Sequence, residues 1–187
     1  MIKPEVERIA RKQTNRYAII MALRRMSRVL EGGFVATAGK MLKNASVNLT
    51  SNMCCITIKR SQSAIKSASI LYNAINFDNG DFLTITFGTY EINIIANMKN
   101  ADEIIGMFHK EDIEKRSSNL SSLAIRITKN AAESVGLLYS ITKALSWEGI
   151  NIIEVVSTYT EEIFIVSDID AARAFDAIRR LSIQTKQ

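Results

Sequence analysis

Two hydrophobic periods alternate along the chain, and their order predicts most of its elements. Ile19, Leu23, Met26 and Leu30 recur three and four residues apart, the spacing of one helical face, in a helix from about Arg16 to Leu30. Pro4 suits the first turn of a shorter preceding helix that runs to about Ala10, because its missing N–H would be unpaired there in any case. Gln13-Thr14-Asn15 supplies turn and N-cap chemistry between the two, and Gly32-Gly33 closes the second. Residues 34–52 are small and polar with little periodicity, and they read as a linker holding a short strand at Val47–Thr50.

From Cys54 onward the pattern settles into a weak internal repeat. Cys54–Ile58 reads as a strand, Ala64–Ile75 as a helix and Asp78-Asn79-Gly80-Asp81 as a turn; strands at Phe82–Phe87 and Glu91–Ala96 and a short helix at Ala101–Phe108 follow. The same order returns from Leu123. Leu123–Ile127 is a strand, and Leu137, Leu138, Ile141 and Leu145 mark the apolar stripe of a helix that stops at Gly149. Strands at Ile150–Ser157 and Glu162–Val166 follow, then a helix with Ala174, Phe175, Ile178 and Leu181 on one face. Two copies of one α+β unit account for this, each burying two helices on one face of a four-stranded antiparallel sheet.

The organisation is then a helical segment at 1–33, a linker at 34–52, a first unit at 53–118 and a second at 119–187. The fourth strand of the first unit lies within Asp112–Ser118. For the second only Ser182–Lys186 remains, so its fourth strand comes from elsewhere in the chain or from another subunit. An unpaired sheet edge favours association, which makes a homodimer or a higher homo-oligomer the expected state.

Composition narrows the function. The 187 residues are 47% hydrophobic, enough for one large or two small cores. No apolar run reaches the ~18 residues of a membrane span, and no signal peptide opens the chain, so a cytoplasmic location with no membrane partner is expected. His109 is the only histidine, which removes histidine-based metal sites and leaves no catalytic arrangement to assign. Cys54 and Cys55 are adjacent in an apolar strand and read as buried reduced thiols. Carboxylate pairs such as Asp102-Glu103 and Glu161-Glu162 read as solvated faces and turns. The net charge of +5 is uneven: residues 1–60 hold twelve Lys/Arg against three acids, and the remainder carries a net −4.

Two landmarks carry a family resemblance. The loop Glu133-Ser134-Val135-Gly136-Leu137 and the segment Gly149-Ile150-Asn151-Ile152 stand in the order of an ACT domain. That domain has a first strand, an Asp-x-Pro-Gly-like loop, a helix, a Gly-Ile-Asn-Ile opening to the second strand and a final helix. Leu123–Leu181 resembles it, with Glu133 in place of the usual Asp and Val135 in place of the usual Pro. The resemblance extends to tandem-ACT proteins of archaea with a helix-turn-helix-like segment in front. It is carried there by Ile2-Lys3-Pro4-Glu5-Val6-Glu7, Ala18-Ile19-Ile20-Met21-Ala22-Leu23 and the run from Trp147 to Glu161. It implies an α+β fold of two ferredoxin-like (βαββαβ, ACT-type) units with antiparallel sheets, preceded by a short helical segment. It further implies a non-enzymatic regulatory protein with no cofactor. An amino acid or similar small metabolite is then held at a subunit or repeat interface by Asn130, Ser134, Gly136, Leu137, Asn151 and Ile152.

The residues themselves support part of this. Gly136 lets backbone approach a ligand closely, and the N–H groups opening the next helix attract a carboxylate. Alternatively Gly136 serves helix-sheet packing, Gly149 caps a helix and Asn151 turns the chain without any ligand. The matching loop of the first unit, Arg60-Ser61-Gln62-Ser63, has no glycine and reads as structural. Trp147 reads as a core or interface anchor, and Tyr159 as a partner contact or an ordinary exposed residue. Arg8, Arg11, Lys12 and Arg16 flank the N-terminal turn. They give the alternative function, a DNA-binding transcriptional regulator whose basic helices meet phosphate and groove; a helical hairpin for dimerisation explains the apolar stripe equally well.

Overall fold

The computed structural model describes residues 2–43, 45–75 and 77–183. Its helices and strands run α1 (Ile2–Ala10), α2 (Arg16–Leu42), β1 (Ser46–Lys59), α3 (Gln62–Ala74), β2 (Leu83–Phe87), β3 (Glu91–Asn97), α4 (Ala101–Gly106) and β4 (Ile113–Arg126). They continue with α5 (Lys129–Ala132), α6 (Leu137–Trp147), β5 (Ile152–Thr158), β6 (Glu161–Ser167) and α7 (Ala171–Ile183). The strands form one antiparallel sheet in the order β2-β3-β1-β4-β6-β5.

The two central strands organise this sheet. β1 and β4 are each 14 residues long and pair with one another from Ser46↔Arg126 to Ile58↔Ile113. Only the second half of β1, Met53–Lys59, also pairs with β3, and only the second half of β4, Leu120–Arg126, also pairs with β6. Each strand changes role at an asparagine with left-handed backbone, Asn52 at φ 60° and Asn119 at φ 56°. Asparagine accepts that conformation more readily than most residues, and the register between β1 and β4 shifts between Thr50 and Met53. Ser46–Thr50 therefore flanks the β4-β6-β5 group, as the first half of β4 flanks the β1-β3-β2 group. The second half's fourth strand comes from upstream in the same chain.

Three apolar clusters fill the molecule. On the helix-bearing face, Ile56, Ile58, Leu71, Ile92, Ile94 and Ile104 pack in the first half. Leu123, Ile125, Ile141, Leu145, Phe164 and Ile178 pack in the second. The opposite face holds Met53, Cys55, Ile95, Leu120, Ile163 and Ile165, contributed by both halves. There Asn93 of β3 donates a 2.7 Å hydrogen bond to Glu154 of β5, two strands that three others separate, so the sheet curls over this face. Both thiols are buried; burial pushes the Cys54 thiol up and the Cys55 thiol up to about 11.

The N-terminal elements depart from expectation. A helix ending near Leu30 at Gly32-Gly33 is corrected: α2 runs for 27 residues to Leu42. With the first half of β1 it occupies the stretch 34–52 that reads as a linker. The cause is tertiary, since α2 lies against α6 and α7 and buries Leu42 in the second core. Such packing outweighs the cost of about 1 kcal/mol for each mid-helix glycine. Of the segment Ser182–Lys186, Ser182 and Ile183 end α7, and residues 184–187 lie outside the described ones.

Candidate functional site

The site grows from a broken helix. In the first half, two residues beyond the end of β1, Ser61 caps α3 by accepting from the Ala64 N–H at 3.0 Å, and α3 then runs unbroken for 13 residues. In the second half Thr128 holds the same place beyond β4 and accepts from the Ala131 N–H at 3.3 Å. The helix it starts, α5, lasts four residues. Glu133–Gly136 then interrupts it, and α6 starts again from Gly136 at φ 93°. That left-handed conformation is costly for any residue with a Cβ, which is why glycine stands there. Having no side chain, Gly136 leaves the first turn of α6 without a side-chain cap.

A cavity of about 400 Å³ opens at the break. Ala131 and Ala132 form one side, the stretch from Ser134 to Tyr139 another, and Glu162 at the start of β6 completes it. The loop is tied down by short hydrogen bonds. The Ser134 hydroxyl donates to the Asn130 carbonyl at 2.7 Å, the Ser140 hydroxyl to the Gly136 carbonyl at 2.8 Å, and the Tyr159 hydroxyl to Glu133 Oε1 at 3.0 Å. Glu162 Oε1 accepts from the Ser157 hydroxyl at 2.9 Å, while its Oε2 is buried without a hydrogen-bond partner. The cavity thus has a positive pole, the amino end of α6, and a negative one.

Of the residues the sequence singles out, Ser134, Gly136 and Leu137 line this cavity. Asn130 is exposed on α5 and contributes the carbonyl that holds Ser134. Asn151 and Ile152 stand past the carboxyl end of α6, roughly 16 Å along an 11-residue helix from Gly136. One chain therefore does not bring them to the loop. Glu162 is half-buried rather than fully solvated, as its place in the sequence suggests, because strand alternation turns it to the helix-bearing face. Trp147 is not a core anchor: it is 82% exposed, with the Lys143 ammonium 5.6 Å from its ring centroid. The buried stripe of α6 is Leu137, Ile141 and Leu145, and Trp147 falls off it.

The basic N-terminal residues are all exposed. Arg8 on α1 pairs with Glu5, with Nε 3.1 Å from Oε2; Arg11, at φ 49°, and Lys12 lie in the turn; Arg16 begins α2. Among the described residues no group of three or more His, Cys, Asp or Glu side chains could hold a metal ion, and no helix is long and apolar enough to cross a membrane.

No protein-family model and no curated protein matches the sequence. Solved structures share its fold. Aspartate kinase of Clostridium acetobutylicum, an allosteric enzyme, matches over 73% of this chain and 34% of its own length, at 20% identity and a TM-score of 0.59. The regulatory subunit of aspartate kinase from Thermus thermophilus matches over 72% of this chain and 95% of its own, at 14% identity and a TM-score of 0.57. A Vibrio cholerae protein of unknown function, described as a possible transport protein, matches over 80% and 98%, at 13% identity and a TM-score of 0.52. This chain spans about a third of the Clostridium enzyme and nearly the whole of the other two. The likeness establishes the fold, an antiparallel α+β arrangement shared with regulatory domains of aspartate kinase.

Proposed function

We propose that this chain is a non-enzymatic, cytoplasmic regulatory protein of the ACT type. Its two ferredoxin-like units, 53–118 and 119–187 with Ser46–Thr50 as the second's fourth strand, form a tandem pair, and the second binds an amino acid or similar small metabolite. The observation that carries this reading is the cavity at the uncapped amino end of α6, opened by an interruption that α3 lacks. Asn151 and Ile152, at the far end of α6, reach a ligand there only from another copy of the chain. The sheet ends in two unpaired edges, β2 and β5, which suits a homo-oligomer.

A thermal-shift panel of free amino acids tests the reading. A ligand present at a hundred times its Kd raises the melting temperature by about 5–10 °C for a chain of this size. A panel in which none moves the transition at millimolar concentration overturns amino-acid binding. The alternative, a DNA-binding regulator, rests on the exposure of Arg11, Lys12 and Arg16; duplex binding that weakens steeply with salt would support it.

A further inference from the structure

α2 is anchored in the core at its far end, by Leu42, and its opening turns are not buried at all. From Arg16 to Met26 every residue is exposed except Ile19 and Ile20, which are half-buried. Met21 stands roughly 30 Å along the helix from Leu42, so this stretch and α1, which folds against it, form an arm. The arm is apolar where solvent would favour charge. Tyr17–Leu23 carries no charged residue and is bounded by Arg16 on one side and Arg24-Arg25 on the other. Helical spacing sets Leu23 and Met26 on one side of α2 and Tyr17 and Met21 on another, and a helix apolar on more than one side is ordinarily covered on more than one. With Ile9 of α1, these four side chains are between 46% and 77% exposed. At roughly 200 Å² for a whole large side chain, the five leave on the order of 600 Å² of apolar surface in water, the upper end of what a monomer tolerates.

We propose that this arm is the dimerisation element of the protein, covered by the same arm of a second copy, hairpin against hairpin. The area fits that occupant. A stable pair takes about 800 Å² from each partner, and the exposed Ala10, Ala18 and Ala22 with the stems of Arg16, Arg24 and Arg25 supply what the five large side chains lack. An uncharged centre rimmed by arginines is also the anatomy of a protein interface, and one patch meeting itself closes as a two-fold. A nucleic-acid duplex would engage the arginines and leave Tyr17, Met21, Leu23 and Met26 in water. The inference places the contact in the arm rather than at the edges β2 and β5, and it does not depend on the cavity holding a ligand.

Size exclusion with light scattering on the full chain at micromolar concentration tests the assignment. Wild type should have the mass of two chains. The double variant Tyr17→Glu, Leu23→Glu should have the mass of one, with the dimer Kd raised roughly 100-fold or more. Its circular dichroism should match wild type, because both side chains are exposed within a single chain. Thr86→Lys on β2 and Val155→Lys on β5, which guard the sheet edges with charge, should remain dimeric. Hydrogen exchange needs no substitution: the amides of residues 16–26 should exchange more slowly as wild-type concentration rises, and this decides the matter should the double variant fail to fold. A monomeric wild type, a folded double variant that stays dimeric, or exchange independent of concentration overturns the assignment. Dissociation by an edge variant alone also overturns it, moving the interface to the sheet and leaving the cavity reading untouched.

Discussion

The two halves share a scaffold, and the difference that shapes the cavity lies at one place. Each has a first strand that turns into a side-chain-capped helix, with Ser61 in one and Thr128 in the other. Each has a hairpin followed by a 3-10 turn that leads into a last helix, at Met98–Asn100 and Asp168–Asp170. In the first half the capped helix continues, and Ile92 closes the core under it. In the second the helix stops after one turn, Gly136 restarts it, and Glu162 occupies the space under the break. The first half thus puts its residues into packing, and the second gives up some packing for a cavity with two charged poles.

The largest test of this comparison concerns how far the halves depend on each other. Phe164 and Leu71 are fully buried, one in each helix-side core. Phe164→Ala should cost about 3–5 kcal/mol and Leu71→Ala about 2–5 kcal/mol. Because β1 and β4 run through both halves, each variant should shift a single urea transition followed by circular dichroism. Two transitions, of which only one moves, would break the picture of a shared sheet.

The caps give a smaller, symmetrical test. Ser61→Ala and Thr128→Ala should each cost about 1 kcal/mol in urea denaturation. Ligand affinity should fall only in Thr128→Ala, because α5 forms one wall of the cavity and α3 forms none. The smallest effect is a function of pH. The Lys99 ammonium 2.5 Å from Asp81, and then the Asn100 amide at 3.1 Å, hold the Asp81 carboxyl below its usual range. A depressed folded-state value adds stability above the unfolded value of ~3.9, and this is lost as pH falls through the folded one. Asp81→Asn should therefore lower the melting temperature slightly at pH 7 and leave it equal to wild type near pH 2.

Local pattern made the repeated elements legible, because periods of two and 3.6 survive in the apolar positions of β1, α3, β3, β6 and α7. It could not reveal that α2 continues past Gly32-Gly33, since the compensation lies in Leu42 reaching a core built some eighty residues later. Nor could it assign Ser46–Thr50 to the second half, because strand pairing is non-local and the exchange turns on single asparagines at 52 and 119. Of the residues that line the cavity, Ser134, Gly136 and Leu137 stand out in the loop's own sequence. Asn151 was readable as a landmark but not as a distance. Glu162 was hidden by its neighbour Glu161, which makes the pair look like a hairpin end. Aligning Glu162-Ile163-Phe164-Ile165-Val166 with Ile92-Asn93-Ile94-Ile95-Ala96 is the signal that exposes it, as a charge set into an apolar column.

The exchange of strands also fixes an order of events during synthesis. Ser46–Thr50 leaves the ribosome well before its partners, Ser122–Arg126, which follow more than seventy residues later. The first strand is thus completed only by the fourth. Until then the β1-β3-β2 group can assemble with the first half of β4 while Val47 and Leu49 wait on an open edge, the kind of exposed segment that invites pairing with another chain. α2 leads directly into that edge and later packs on α6 and α7. Slow or interrupted translation between residues 60 and 120 is therefore the condition under which this protein should misassemble.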